Sequence, residues 1–252
     1  MRPPVVLAYH GVGYCDRSDD PHNLFLTPDA FERQMEHLAG RYQVVSLHDA
    51  VQDRGSSAQR QVAITFDDAY VGVLTYAVPV LARLRFPATV FLPTAFLGAS
   101  NTWDPPSGCD QSIMDADQCR SSLEMGLSIE SHGHAHIDMA TASPEEIRND
   151  LQTSADSIAS LTGRRPRFLA YPFGRHSPAA RQMAQESGLE AAFTIDAPHA
   201  GRYAWWRIQV TPLDGSALFR AKVRGLYGAL RWSPIPAAGY RMVAPVVRRL
   251  RS

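Results

Sequence analysis

The sequence predicts an α/β protein: a single domain of alternating strands and helices closing into a distorted (β/α) barrel. Three observations carry that prediction. Short apolar, β-branched runs alternate with helical patterns from end to end. No linker, low-complexity tract or repeat divides the 252 residues. Polar motifs follow the apolar runs directly, at the strand ends where α/β enzymes carry their sites. A composition of 45% hydrophobic and 20% charged residues excludes disorder, a collagen-like repeat and a disulfide miniprotein. A chain of this size buries roughly 70 to 75% of the surface that its unfolded form exposes, enough for a real core.

In chain order the strand candidates are 5–9, 44–47, 62–66, 89–92, 127–130, 168–171, 192–195 and 206–210. Thr27 followed by Pro28 opens a helix through Leu38, and Ser143, Pro144 and Glu146 supply the N-cap, N1 proline and capping-box glutamate of another through Leu161. Parallel neighbours need a crossover, so alternation implies a parallel sheet. Eight such units favour a barrel, with an open doubly wound sheet as the alternative.

The 25 basic and 25 acidic side chains cancel only as a sum. After Asp214 there is no acid, and Arg220, Lys222, Arg224, Arg231, Arg241, Arg248, Arg249 and Arg251 make that tail +8, leaving −8 on residues 1–214. Such separation suits contact with an anionic surface, phospholipid before nucleic acid, and equally suits a terminal helix packed on an acidic body. Cys15, Cys109 and Cys119 make no even framework and no CxxC pair, so neither a disulfide scaffold nor a zinc ribbon is indicated, although a Cys109–Cys119 bridge stays open. The apolar run from Val5 to Ala8 is too short for a signal-peptide core, and no segment reaches the ~18 apolar residues of a membrane span. The expected location is therefore cytoplasmic, peripheral to the membrane if the basic tail binds it.

Four strand-end motifs carry the chemistry. Thr65-Phe66-Asp67-Asp68 ends one run; adjacent carboxylates there face different directions, so one can hold a metal while the other stays free as a base. Ser131-His132-Gly133-His134-Ala135-His136 ends another. If that segment begins a helix, His132 and His136 at i and i+4 present two nitrogens to one cation, while His134 points elsewhere. In the run from Phe168 to Gly174, the glycine permits backbone geometry that exposes peptide N–H groups near Phe173. His10 follows the first strand.

In these motifs, TFDD (65–68), SHGHAH (131–136) and FLAYPFG (168–174), the chain resembles the polysaccharide deacetylases of the NodB-homology type, carbohydrate esterase family 4. The resemblance covers about residues 4–214, leaving 215–252 as a basic C-terminal helical extension. It implies a distorted barrel and a metal-dependent hydrolase that removes acetyl groups from amino sugars. Position by position, Asp67 matches the catalytic base, Asp68, His132 and His136 the metal ligands, and Phe173 the residue whose N–H stabilises the oxyanion. The expected cofactor is a divalent ion, Zn²⁺ before Co²⁺, Ni²⁺ or Fe²⁺.

The chain departs from the commonest pattern twice. Ala170 stands where many members have the arginine that orients the base, and no His occurs after His199 to supply the acid from a C-terminal motif. The early Tyr9-His10 with the Ala-Tyr-Pro-Phe-Gly motif is similar to a subgroup acting on exopolysaccharide amino sugars, in which the N-terminal His is the acid. His10 is therefore the expected acid, ahead of His176 and His199, and Arg207 the expected orienting arginine, ahead of Arg175. Trp205 and Trp206 suit either sugar stacking or core packing. Loops 13–26 and 98–112 are expected to choose the substrate, an acetylated glycan or glycolipid. Alternatives are deacetylation or deformylation of a lipid-linked sugar and, from another class, a non-catalytic carbohydrate-binding protein on the same fold.

Overall fold

The structure, a computed structural model, describes residues 3–52, 59–104, 108–196 and 199–227. It starts with β1 (Val5–Tyr9), then pairs two short strands, β2 (Gly11–Val12) and β3 (Phe25–Leu26). Next come α1 (Pro28–Ala39), β4 (Gln43–Val44) and α2 (Leu47–Gln52). Strand and helix then alternate through β5 (Gln61–Phe66), α3 (Val78–Leu84), β6 (Ala88–Leu92), α4 (Ala116–Glu124), β7 (Leu127–Ser131), α5 (Pro144–Thr162), β8 (Phe168–Ala170), α6 (Pro178–Glu186) and β9 (Ala191–Thr194). Two short strands, β10 (Trp205–Trp206) and β11 (Ile208–Gln209), precede α7 (Ser216–Val223).

The helix starts are those written in the sequence. Thr27 accepts from the Ala30 N–H ahead of Pro28, and Ser143 with Glu146 forms a complete capping box on α5. All sheet pairs are parallel, in the order β10-β9-β8-β7-β6-β5-β1-β11 with β4 beside β5. The strands are buried on both faces, which is why their sequences are nearly continuous apolar runs. Alternate residues serve two cores: Val6, Ala63, Phe91 and Phe193 pack together in one, while Leu7, Ile64, Val90 and Ile129 join the other with α1 and α3.

Two strand expectations change. The run 44–47 supplies only Gln43–Val44, because Ser46 accepts from the Asp49 N–H and starts α2 at Leu47. Seven strand positions, rather than eight, therefore circle the barrel. The run 206–210 is split at Arg207. Its N–H donates to Thr194 O (2.8 Å) on the β9 side, and the Val210 N–H donates to Ala8 O (2.9 Å) on the β1 side. One segment thus bonds to both ends of the sheet, and the nearly closed barrel has its seam at Arg207.

Cys15 and Cys109 form a disulfide with their Cα atoms 5.0 Å apart, and Cys119 on α4 is the free, buried thiol. This overturns the open Cys109–Cys119 pairing: a single bridge forms, with Cys15 as the partner of Cys109. The half-cystines lie 94 residues apart on different strand-to-helix loops, a proximity that spacing does not reveal. Of the basic extension, α7 packs Leu218, Phe219 and Val223 against the barrel, and the buried Lys222 ammonium donates to Gln209 O and Asp214. The rest of the expected helical extension, residues 228–252, lies outside the described residues. Among the described residues no helix is long and apolar enough to cross a membrane.

Candidate active site

The site sits past the C-terminal ends of β1, β5, β7 and β8. β5 runs straight into Asp67, whose N–H donates to Tyr9 O (2.9 Å) and so continues the sheet. The backbone then turns left-handed at Asp68 and Ala69, with φ of 68° and 54°. That bend sends the two adjacent carboxylates to different partners.

Asp67 meets Arg207. The guanidinium makes a bidentate pair, Nη1 to Oδ1 and Nη2 to Oδ2, both 2.7 Å, and Nη1 also donates to Thr65 Oγ1 at 3.0 Å. Thr65 hands its own hydroxyl proton to Leu7 O, which fixes it as an acceptor toward the arginine. Arg207 is fully buried and lies over the Phe91 ring, 5.1 Å from its centroid. Burial opposes ionisation of Asp67, but the Arg207 charge and hydrogen bonds together with His132 and His10 outweigh it and hold the carboxyl below its ordinary range. Arg175, the other arginine considered, pairs with Asp138 at the surface. His10 Nε2 lies 4.0 Å from Asp67 Oδ2, the oxygen that Arg207 Nη2 also reaches, and its buried Nδ1 has no hydrogen-bond partner.

Asp68 meets the histidines. Its Oδ1 lies 3.3 Å from His132 Nε2 and 3.4 Å from His136 Nε2, and the three donor atoms fall within 4.8 Å of one another. Asp68 Oδ1 is buried and has no hydrogen-bond partner. His132 Nδ1 lies 2.8 Å from Ala170 O. A carbonyl only accepts, so Nδ1 carries a proton and Nε2 offers a lone pair toward Asp68 when the ring is neutral; burial lowers His132, but the Asp68 and Asp67 carboxylates outweigh it and raise it above the ordinary imidazole range. A carboxylate oxygen facing an imidazole lone pair in a buried setting calls for a cation between them, and a one-carboxylate, two-imidazole set is the donor chemistry of a divalent transition ion. Burial also pushes His136 below the ordinary imidazole range, toward the neutral form a ligand needs.

The two histidines do not lie on a helix. Gly133 (φ 76°) and His136 (φ 51°) are left-handed, and the segment between them is a loop held by Asp150, which accepts from the His134 and Ala135 N–H groups at 2.8 Å each. The i, i+4 expectation assumed a helix, whereas a loop brings His132 and His136 together. His134 turns away to Thr94 Oγ1.

Residues 54–192 match the sequence profile of the polysaccharide deacetylases. The chain belongs to that family. A poly-beta-1,6-N-acetyl-D-glucosamine N-deacetylase of Staphylococcus epidermidis is 25% identical over 237 residues, spanning 82% of this chain and 78% of that protein. Among solved structures, the deacetylase PplD of Streptococcus pyogenes in complex with acetate superposes with a TM-score of 0.75 at 21% identity, covering 87% of this chain and 97% of that one. IcaB from Ammonifex degensii gives 0.73 at 20% identity over 90% and 97%.

Asp67, Asp68, His10, His132, His136 and Phe173 all line one cavity of about 240 Å³. Phe173 is left-handed (φ 58°) and 42% exposed, with its ring centroid 4.7 Å from that of His136 in an edge-to-face contact. The glycine after it is obligatory: φ is 70°, and a Cβ there would lie 1.9 Å from Ile195 Cγ1. His176 packs on Tyr171 and His199 on Trp205, and neither lines the cavity. Trp205 and Trp206 also stay outside it, packed on Phe193 and Tyr227.

Sequence reasoning missed Trp103, which stacks on His136 at 3.9 Å and 18° between planes. Asn101 holds it by accepting from the Trp103 and Asp104 N–H groups and donating to the Tyr70 hydroxyl. It also missed Asp150. The available signal was a carboxylate on the apolar face of α5, beside Ile147, Leu151 and Ile158.

Replacing Arg207 by Met leaves Asp67 buried without its partner. The fold should lose about 3 to 5 kcal/mol. The sign for Asp67 is upward, since burial alone raises a carboxyl pKa, so the acid limb of a pH–activity profile should move to higher pH. An unmoved limb in folded protein would show that Arg207 does not set Asp67. Asp150→Ala frees two N–H groups of the histidine loop and should weaken metal binding by about 10- to 100-fold, read by competition with a chelating dye.

Proposed function

We propose that this protein removes acetyl groups from N-acetylated amino sugars of a polysaccharide or glycoconjugate. The carrying observation is the division of labour at 67 and 68: one buried carboxylate is locked on an arginine, and its neighbour faces two imidazoles, in a chain of the polysaccharide deacetylase family. The S. epidermidis relative, whose name gives poly-beta-1,6-N-acetyl-D-glucosamine as its substrate, supports a β-linked glucosamine polymer as the substrate class here.

Asp68, His132 and His136 would hold the metal, with Zn²⁺ best suited to so small a nitrogen and oxygen set. A divalent ion bound there supplies Lewis-acid polarisation of the acetyl carbonyl and acidifies water. The remaining work belongs to the chain. Asp67, ionised and held by two guanidinium hydrogen bonds, accepts the proton of the attacking water. The Phe173 N–H stabilises the oxyanion that develops on the carbonyl oxygen. His10, beside Asp67, returns a proton to the departing amine. Arg207 touches no reacting atom in this scheme and acts by positioning the base.

The membrane-contact reading of the basic tail rests on charge alone, since Arg231, Arg241, Arg248, Arg249 and Arg251 fall outside the described residues. Sedimentation with anionic liposomes, full chain against a truncation after residue 227, tests it.

Asp67→Asn should abolish acetate release from acetylated glucosamine oligomers while a full equivalent of metal stays bound. His132→Ala should lose the metal, measured by elemental analysis of dialysed protein; a retained equivalent would remove His132 from the ligand set. His10→Ala should lower kcat by about 10²- to 10⁴-fold with metal content unchanged. Near-wild-type turnover would return the acid role to another donor.

A further inference from the structure

The cavity is walled by two loops with no shared secondary structure. From the β1 side come His22 and Leu24, in a turn closed by Asp20, whose carboxylate accepts from the Leu24 and Phe25 N–H groups at 2.8 and 2.9 Å. From the β6 side come Trp103 and Asp104, in a loop whose arms bond to each other through the Asn101 N–H and Gln111 O and to the β5 side through the Val71 N–H and Ser112 O. Among the described residues, Cys109 Sγ lies 3.4 Å from Asp19 O across the mouth. His22 Nε2 and Asp104 Oδ1 stand 3.7 Å apart with the imidazole half exposed, an arrangement worth little in water. Gly108 packs so closely on Asp19 that a Cβ would lie 2.2 Å from its Oδ2. The Cys15–Cys109 disulfide is the covalent link between the two loops.

We propose that the Cys15–Cys109 disulfide is a redox-sensitive clamp that positions these loops for an extended glycan, so that substrate binding depends on the thiol–disulfide state of the chain. This rests on the deacetylase reading for its substrate. A cross-link that served stability alone would join elements of the frame. This one leaves the barrel strands untouched and joins the two segments that supply Trp103 and His22 to the reaction cavity. Clamping gives up two thiol protons and two electrons; a small or protein disulfide takes the electrons by exchange and leaves as two thiols. Oxidising compartments maintain such a bond, whereas a reducing cytosol keeps thiols reduced and would leave the clamp open.

The test compares oxidised and reduced wild-type enzyme on two substrates: an acetylated glucosamine oligomer, long enough to reach both loops, and an acetylated monosaccharide. Phosphine reduction is followed by counting free thiols, which should rise from one to three. Reduction should raise KM for the oligomer by about tenfold and leave kcat and monosaccharide turnover within about twofold. Glutathione disulfide should restore the lower KM, and the Cys15→Ser, Cys109→Ser double variant should match the reduced enzyme and ignore reductant. Hydrogen exchange at residues 16–24 and 98–104 should accelerate on reduction while β5 and β7 stay protected. If fully reduced enzyme keeps its KM and its loop protection, the clamp is wrong; if kcat, KM and barrel protection fall together, the bond is a stabilising link only. Oxidised enzyme that releases no acetate from any substrate would sink the deacetylase reading, while hydrogen exchange still decides whether the disulfide holds the loops.

Discussion

The Asp67–Arg207 pair is the interaction on which the site and the barrel both depend. Arg207 occupies the residue where the closing segment changes partners from β9 to β1, and its side chain fills the top of the barrel over Phe91. A guanidinium so buried is tolerable only when paired, and Asp67 answers it with two hydrogen bonds. The same pairing fixes the rotamer and the charge of the carboxylate beside the metal-type cluster. Closure of the sheet and the holding of the Asp67 carboxylate are one event, and under the proposed function the orienting arginine comes from the seam instead of the third motif, where Ala170 stands.

The neighbouring cluster depends on backbone geometry that ordinary residues resist. Asp68, His136 and Phe173 are all left-handed without being glycine, and each faces the same cavity. Such conformations cost of order 1 to 3 kcal/mol each and persist only where surroundings over-determine them. Here the surroundings are identifiable: the Asp67 N–H bonded into the β1 edge, the Asp150 carboxylate under the histidine loop, and the Gly174 carbonyl accepting from the Ile195 and Asp196 N–H groups.

Much of this was legible in the sequence because parallel strands and their terminal motifs are local signals. Val5–Tyr9, the 62–66 run and Leu127 onward announce buried strands, and Asp67, Asp68, His132, His136, Phe173 and His10 follow them directly. Arg207 was reachable only through the family resemblance, which leaves an orienting arginine to be found because Ala170 stands in the third motif. What stayed hidden depends on contacts between distant segments. The histidine spacing fits a helix, and only Asp150, from another element, makes it a loop. Trp103 carries no sign of its partner 33 positions later. The break at Arg207 exists because the barrel must close, a constraint that no window of residues contains. Cys15 and Cys109 meet only after the β1 and β6 units have been laid on either side of β5.

Cys119 adds a consequence of its own. Three cysteines permit three pairings, and a thiol free to attack could scramble the bond between the loops. Its side chain is fully enclosed on α4, and burial pushes its pKa up to about 12, so that almost none of it is thiolate at neutral pH. Exchange proceeds through the thiolate. Once α4 has docked, oxidation has a single product, and the fidelity of the cross-link is secured by the inertness of the cysteine that takes no part in it.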